Sequence, residues 1–208
     1  MTNLFQDAYE LIHRGGLAMV PILAMSIVSL AIVLDRAWYL FSSNSSSARR
    51  VAADMARHLR AGRTGEALTL AQSSSTPYAA LVQAMLAEGK PTEALAAEAI
   101  ENQERRIFRG IVFLSTTVTA APMLGILGTV WGVIKAFSGI SAGTHAGGAV
   151  NLQALSGGIG EALIATASGI GVALLVLVPY NLLRAKAERT VAHLETLAQA
   201  AIASGQQG

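Results

Sequence analysis

Between Arg109 and Arg184 the sequence reads GIVFLSTTVTAAPMLGILGTVWGVIKAF (110–137), SGISAGTHAGGAVNLQALS (138–156) and GGIGEALIATASGIGVALLVLVPYNLL (157–183), with Lys135 and Glu161 as its only formal charges. A helix needs about 20 apolar residues to cross the hydrocarbon core of a bilayer. The outer two segments each exceed that, and the middle one is rich in Gly, Ser and Thr. The stretch therefore predicts a membrane hairpin, with spans at 110–137 and 157–183 joined by a polar loop at 138–156. Working outward, Leu17 to Leu34 is a third uncharged run, closed by Asp35-Arg36 and the aromatic cluster Trp38-Tyr39-Phe41. Aromatics of this kind favour the membrane–water interface, which sets a first span at 17–41. A cleaved signal peptide fits less well. Asp7 and Glu10 accompany Arg14 where a basic region belongs, and no A-x-A site follows.

Composition agrees with this reading. Of 208 residues only 13% are charged and 52% are hydrophobic, which places the chain outside the disordered and ordinary soluble classes. The absence of cysteine removes disulfides, thiolate metal sites and cysteine nucleophiles. With 15 Lys and Arg against 13 Asp and Glu, no dense basic face is expected, and nucleic acid is not an expected partner. His13, His58, His145 and His193 lie in four separate regions and suggest no metal site. Gly157-Gly158-Ile159-Gly160 follows no strand, so it is not read as a nucleotide loop. No catalytic constellation emerges; the chain is not expected to be an enzyme or to need a cofactor.

Positive charge sets the orientation. Arg49, Arg50, Arg57, Arg60, Arg63, Lys90, Arg105, Arg106 and Arg109 lie between the first and second spans, and Arg184, Lys186 and Arg189 follow the third. The N-terminal arm, 1–16, holds one Arg, and the hairpin loop holds neither Lys nor Arg. The positive-inside rule then puts residues 42–109 and 184–208 in the cytoplasm, with 1–16 and 138–156 outside. The expected architecture is an all-α membrane protein with three long transmembrane helices, N-out and C-in, extending into a helical cytoplasmic domain. Within 42–109, breaks are expected at Ala61-Gly62, Ser73–Pro77 and Gly89–Thr92. From Thr92 onward a single helix could run into the second span, and the tail should pack through Val191, Leu194, Leu197, Ala201 and Ile202.

The polar residues inside the spans are the candidate site. An ionisable group in a span usually faces an interior or a water path, which singles out Glu161. It precedes Arg184 by 23 residues, roughly 35 Å of helix. Lys135 follows Arg109 by 26 residues on the antiparallel neighbour and so lies at a similar height. A Glu161–Lys135 pair, a snorkelling Lys135 and a proton-path Glu161 are the open readings. Thr129 and Thr166 likewise fall at nearly the same depth and would form a hydroxyl collar if several copies surrounded an axis. The alternative is ordinary hydroxyl bonding to a carbonyl within the helix or across to a neighbour. Thr116, Thr117 and Thr119 extend the polar character toward the cytoplasm. Gly125, Gly128, Gly132, Ala165 and Gly169 supply the small-x-x-x-small spacing that allows close helix approach.

Ala121-Pro122-Met123-Leu124-Gly125-Ile126-Leu127-Gly128-Thr129-Val130-Trp131-Gly132 resembles the second-span signature of the ExbB/TolQ/MotA proton-channel family. Glu161-Ala162-Leu163-Ile164-Ala165-Thr166-Ala167-Ser168-Gly169, followed by Pro179-Tyr180-Asn181, resembles its third span. The likeness is strongest over 110–190, and the length suits the three-span ExbB or TolQ branch. The resemblance implies a motor stator in the bacterial inner membrane. Five copies would surround the single spans of an ExbD- or TolR-like partner, and a TonB- or TolA-like protein would receive the output. It also implies that Thr129 and Thr166 line the proton path opposite the partner's membrane Asp, and that Glu161 serves assembly or the path. No Asp follows residue 54 in this chain, consistent with a titrating Asp supplied from elsewhere. Lys135 departs from the family pattern, where a neutral polar residue is expected, and would place a positive charge near the outer mouth.

Overall fold

A computed structural model describes residues 15–43, 46–87, 90–145 and 152–205. Among them there is no strand. Seven helices follow one another: α1 (Met19–Ser43), α2 (Ser46–Arg60), α3 (Thr64–Gln72), α4 (Pro77–Ala87), α5 (Glu93–Ile107), α6 (Ile111–His145) and α7 (Leu152–Gly205). Apolar stretches long enough to cross a membrane lie on three of them, at Met19–Leu40, Ile111–Ser138 and within Leu155–Gly205. The N-terminal arm falls mostly outside the described residues.

The polar loop expected at 138–156 is shorter than its composition suggested. Helix α6 continues through Ser138 to His145, and α7 already begins at Leu152. No proline interrupts Ser138–His145, and the Ser138 hydroxyl donates to the Lys135 carbonyl at 2.9 Å inside the helix. Small polar residues can therefore continue a helix that composition alone assigns to a loop. The connection itself, 146–151, lies outside the described residues.

A helix continuous from Thr92 into the second span does not form. Helix α5 ends at Ile107, and Phe108 closes it by donating its N–H to the Glu104 carbonyl. Gly110 then adopts φ +79, a left-handed conformation that glycine reaches without the Cβ penalty. The Ile111 N–H bonds the Phe108 carbonyl at 3.0 Å as α6 starts. The turn separates the basic end of α5 from the apolar start of α6.

The chain divides into two compact units, 1–33 with 112–180, and 34–111 with 181–208. In the first, α6 and the early part of α7 pack through small residues and α1 adds Met19 and Ile22, while large apolar side chains such as Met123, Leu163 and Leu175 face outward. That inverted pattern suits a lipid environment, where close backbone approach replaces hydrophobic burial as the source of helix association. In the second unit the pattern is that of a water-soluble bundle. Met55, Leu59, Leu81, Val82, Met85 and Ile107 are fully buried, together with Ala187, Leu194 and Ala201 from the end of α7. Thr92 caps α5 by accepting the Leu95 N–H at 3.3 Å, and Gln83 donates to the Ala71 carbonyl at 2.6 Å.

Helix α7 contributes a buried stripe to each unit. Gly158, Ala162, Ala165, Gly169, Ala173 and Val176 form the one in the first unit, and Leu183, Ala187, Thr190, Leu194, Leu197 and Ala201 the one in the second. Within each, steps of three and four residues keep the stripe on one face. The first stripe is built mostly from small residues, and the second is richer in leucine.

Tyr78 is fully buried in the second unit. Burial pushes its phenol above the ordinary value of 10.0, against a hydrogen bond with Thr190 and the charge of Arg49, which both lower it. The unfolded chain therefore ionises first. This contribution to stability is complete below about pH 10 and is lost as the pH rises through the folded value. Tyr78→Phe is expected to flatten the alkaline decline of the thermal midpoint and to cost about 1 kcal/mol at neutral pH. Identical alkaline limbs for variant and wild type would remove Tyr78 from the account.

Candidate functional site

The hairpin packs backbone to backbone. A Cβ built on Gly125 would lie 2.9 Å from the Thr166 Cα and 3.0 Å from the Ala165 carbonyl oxygen. On Gly132 it would meet the Ala162 Cβ and the Gly158 carbonyl oxygen, each at 2.9 Å. A Cβ on Gly169 would collide with the Ala121 carbonyl oxygen. Gly128 faces two neighbours, the Ala165 Cβ at 2.7 Å and the Ala18 Cβ at 2.8 Å, so the start of the first span closes onto the hairpin there. The seam includes the five small residues singled out by spacing and adds Ala121, Ala136, Gly158 and Ala162.

Both threonines engage one turn of α6. The Thr166 hydroxyl crosses the seam and donates to the Gly125 carbonyl at 2.9 Å. That carbonyl is also the i−4 acceptor for the Thr129 N–H in an α-helix. The Thr129 hydroxyl donates within its own helix, to the Ile126 carbonyl at 2.6 Å. Both side chains are partly exposed, and a hydroxyl that donates to a carbonyl keeps its lone pairs as acceptors. The turn 125–129 thus carries one hydroxyl and accepts another from α7, with the apolar side chains of Met123, Ile126 and Val130 exposed around it. Thr116 and Thr119 are exposed nearer the start of α6, with their hydroxyls bonded to helix carbonyls.

Glu161 and Lys135 form an ion pair, with Nζ 3.0 Å from Oε2. The lysine side chain is 64% exposed and the glutamate 21%. The carboxylate therefore sits within the packing, and the ammonium reaches it from the rim. Gly16 explains the burial. It adopts φ +69, and a Cβ there would collide with the Glu161 carboxylate. The segment entering the first span thus closes over Glu161 with only a glycine's thickness. Gly16→Ala is expected to displace the carboxylate and cost about 2 kcal/mol from the left-handed backbone and the clash together. Thermal unfolding in detergent checks this. Gly157→Ala, where a Cβ meets open space, is the control, and equal midpoints for both variants would contradict the packing.

One polar contact carried little sequence signal. The Ser29 hydroxyl donates to the Thr117 hydroxyl at 2.9 Å, and both residues are fully buried. Thr117 in turn donates to the Phe113 carbonyl at 3.0 Å. This chain of bonds links α1 to α6 in the apolar interior. No group of three or more His, Cys, Asp or Glu suited to a metal occurs among the described residues.

Residues 71–196 match the MotA/TolQ/ExbB proton channel family. The chain is 33% identical over 174 residues to the biopolymer transport protein ExbB-like 3 of Synechocystis, covering 82% of this chain and 81% of that one. It is 30% identical over 183 residues to the biopolymer transport protein ExbB of Neisseria meningitidis serogroup A, covering 79% of each. The Tol-Pal system protein TolQ of Pseudomonas aeruginosa is 34% identical over 100 residues, covering 48% of this chain and 42% of that one. The match spans α4, α5, both threonines and the glycine seam, and this chain is a membrane protein of the MotA/TolQ/ExbB proton channel family.

Proposed function

We propose that this chain is the proton-channel and stator subunit of an inner-membrane, ExbB–ExbD–TonB type complex that couples the proton motive force to outer-membrane transport. The observation that supports it best is the turn 125–129, which carries the Thr129 hydroxyl and accepts the Thr166 hydroxyl through the Gly125 carbonyl, both side chains being partly exposed. Hydroxyl oxygens can exchange hydrogen bonds with a titrating carboxylate without fixing a charge in the membrane. No Asp follows residue 54 in this chain, so the carboxylate is supplied by a single-span ExbD- or TolR-like partner. Several copies of the chain, five by the family's pattern, surround that partner's span as a multi-pass assembly. Each copy contributes its hydroxyl pair, and a TonB-like protein carries the output. The chain performs no chemistry on a substrate and is not an enzyme.

The similarity to TolQ supports a second client, a TolA-like protein of an envelope-maintenance motor. Mechanism and site are shared, and only the receiving protein differs. Gentle isolation from native membranes followed by native mass spectrometry tests both readings. The expected mass corresponds to several copies of this chain plus a minority small protein whose one span carries an Asp. A homo-oligomer without such a protein contradicts the channel reading and leaves a non-conducting scaffold. Loss of metal-chelate uptake on deletion assigns the TonB-like client; leaky envelopes with division defects assign the TolA-like one.

A further inference from the structure

A second polar feature lies in the 34–111 unit. Arg36, Ser75, Thr76, Gln103, Arg106 and Arg109 line a cavity of about 350 Å³, and no carboxylate lines it. The Arg36 guanidinium is already committed. It donates to the Asp35 carboxylate at 2.8 and 2.6 Å and to the Arg106 carbonyl at 3.0 Å, and it lies 5.0 Å from the centre of the Tyr39 ring. Neither Arg106 nor Arg109 has an ion-pair partner among the described residues. Gln103 lines the cavity and is only 8% exposed as a residue. No fully buried side-chain N or O atom among the described residues lacks a partner, so its amide, which bonds no described residue, reaches solvent. It is therefore available to a ligand in the cavity.

The chemistry and the place of the cavity select that ligand. Two uncompensated guanidinium groups, two hydroxyls and an amide are donors suited to a phosphate ester. Arg36 and Tyr39 occupy the last turns of the first apolar stretch, Met19–Leu40, and Arg109 stands two residues before the second, Ile111–Ser138. The cavity thus opens at the level where both spans leave the bilayer on the basic, cytoplasmic side. A phosphate plane of anionic lipid lies at that level. A volume near the lower limit for ligand pockets, with its one lining aromatic ring, Tyr39, held by Arg36, disfavours a nucleotide. We infer that this cavity binds the phosphodiester headgroup of an anionic phospholipid, with Arg106 and Arg109 on the phosphate and Gln103 on the glycerol or phosphate oxygens.

The test uses the intact complex, purified in detergent and titrated with phosphatidylglycerol or with phosphatidylcholine, bound lipid being counted by native mass spectrometry. Wild type should retain phosphatidylglycerol in preference to phosphatidylcholine. Arg106→Gln with Arg109→Gln should weaken that retention about tenfold or more. Arg57→Gln with Arg60→Gln removes the same charge from the exposed face of α2 and should leave it unchanged; an equal loss in both pairs would reduce the effect to general surface charge and overturn the site. Undiminished retention in the Arg106/Arg109 pair overturns it equally. Displacement of the lipid by millimolar inorganic phosphate would make this a site for a soluble anion and contradict the lipid assignment. Gln103→Leu, which removes the amide while leaving every cavity charge in place, should weaken retention several-fold. Unchanged assembly mass confirms that the variants remain folded.

Discussion

Gly169→Ala is expected to lower the thermal midpoint of the purified protein more than any other single-methyl substitution in the seam. The added Cβ meets the Ala121 carbonyl oxygen, with the Ala121 carbonyl carbon and the Gly125 Cα each at 3.2 Å. All three are backbone atoms, so no side chain can rotate away, and the helices must separate. Overpacking of this kind costs about 1–3 kcal/mol, and Gly169→Leu should abolish the native assembly. Separation would also stretch the Thr166–Gly125 bond, which lies one turn away. Gly171 supplies the internal control. A Cβ there meets open space, and alanine is the better helix former by about 1 kcal/mol. Gly171→Ala should therefore leave the midpoint unchanged or raise it. If Gly169→Ala proved as stable as Gly171→Ala, the backbone-to-backbone packing of α6 and α7 would be wrong.

Thr166→Val and Thr129→Val should both reduce proton flux through the partner-containing complex by at least tenfold, because each deletes one hydroxyl from the proposed path. Their effects on stability should differ. Thr166 holds α7 to α6 through the Gly125 carbonyl, so Thr166→Val should also cost about 1 kcal/mol. Thr129 bonds only within its own helix, so Thr129→Val should be stability-neutral or slightly favourable. Thr166→Ser, which keeps the hydroxyl, should restore both flux and stability in large part. Normal flux in both valine variants would remove the hydroxyl pair from the path, whatever their stabilities.

Much of this arrangement was legible in the sequence because it rests on charge exclusion and spacing. The span between Arg109 and Arg184 admits only Lys135 and Glu161, and similar counts from those two arginines put Thr129 near the depth of Thr166 and Lys135 near that of Glu161. Spacing supplies height but not rotation about the helix axis. For that reason the ion pair at 3.0 Å stood as one reading among several, and the Thr166 bond across the seam could not be told from an in-helix bond. The Ser29–Thr117 contact needed the register of α1 against α6, which a lone serine in an apolar run does not encode. Gly16 needed a left-handed φ and a carboxylate 145 residues away. The break at Gly110 and the helical Ser138–His145 show the reverse difficulty, since one glycine can end a helix while several small residues continue one. Gln103 reads as an ordinary polar residue of a charged helix until its burial is known.

The most direct test of the channel assignment is proton flux into liposomes carrying the complex isolated from native membranes, driven by an imposed potential and read by an internal pH dye. The account predicts flux above that of protein-free liposomes, lost when Thr129 and Thr166 are both replaced by valine. An intact complex, with its Asp-bearing single-span partner present and no flux above the lipid background, would contradict it.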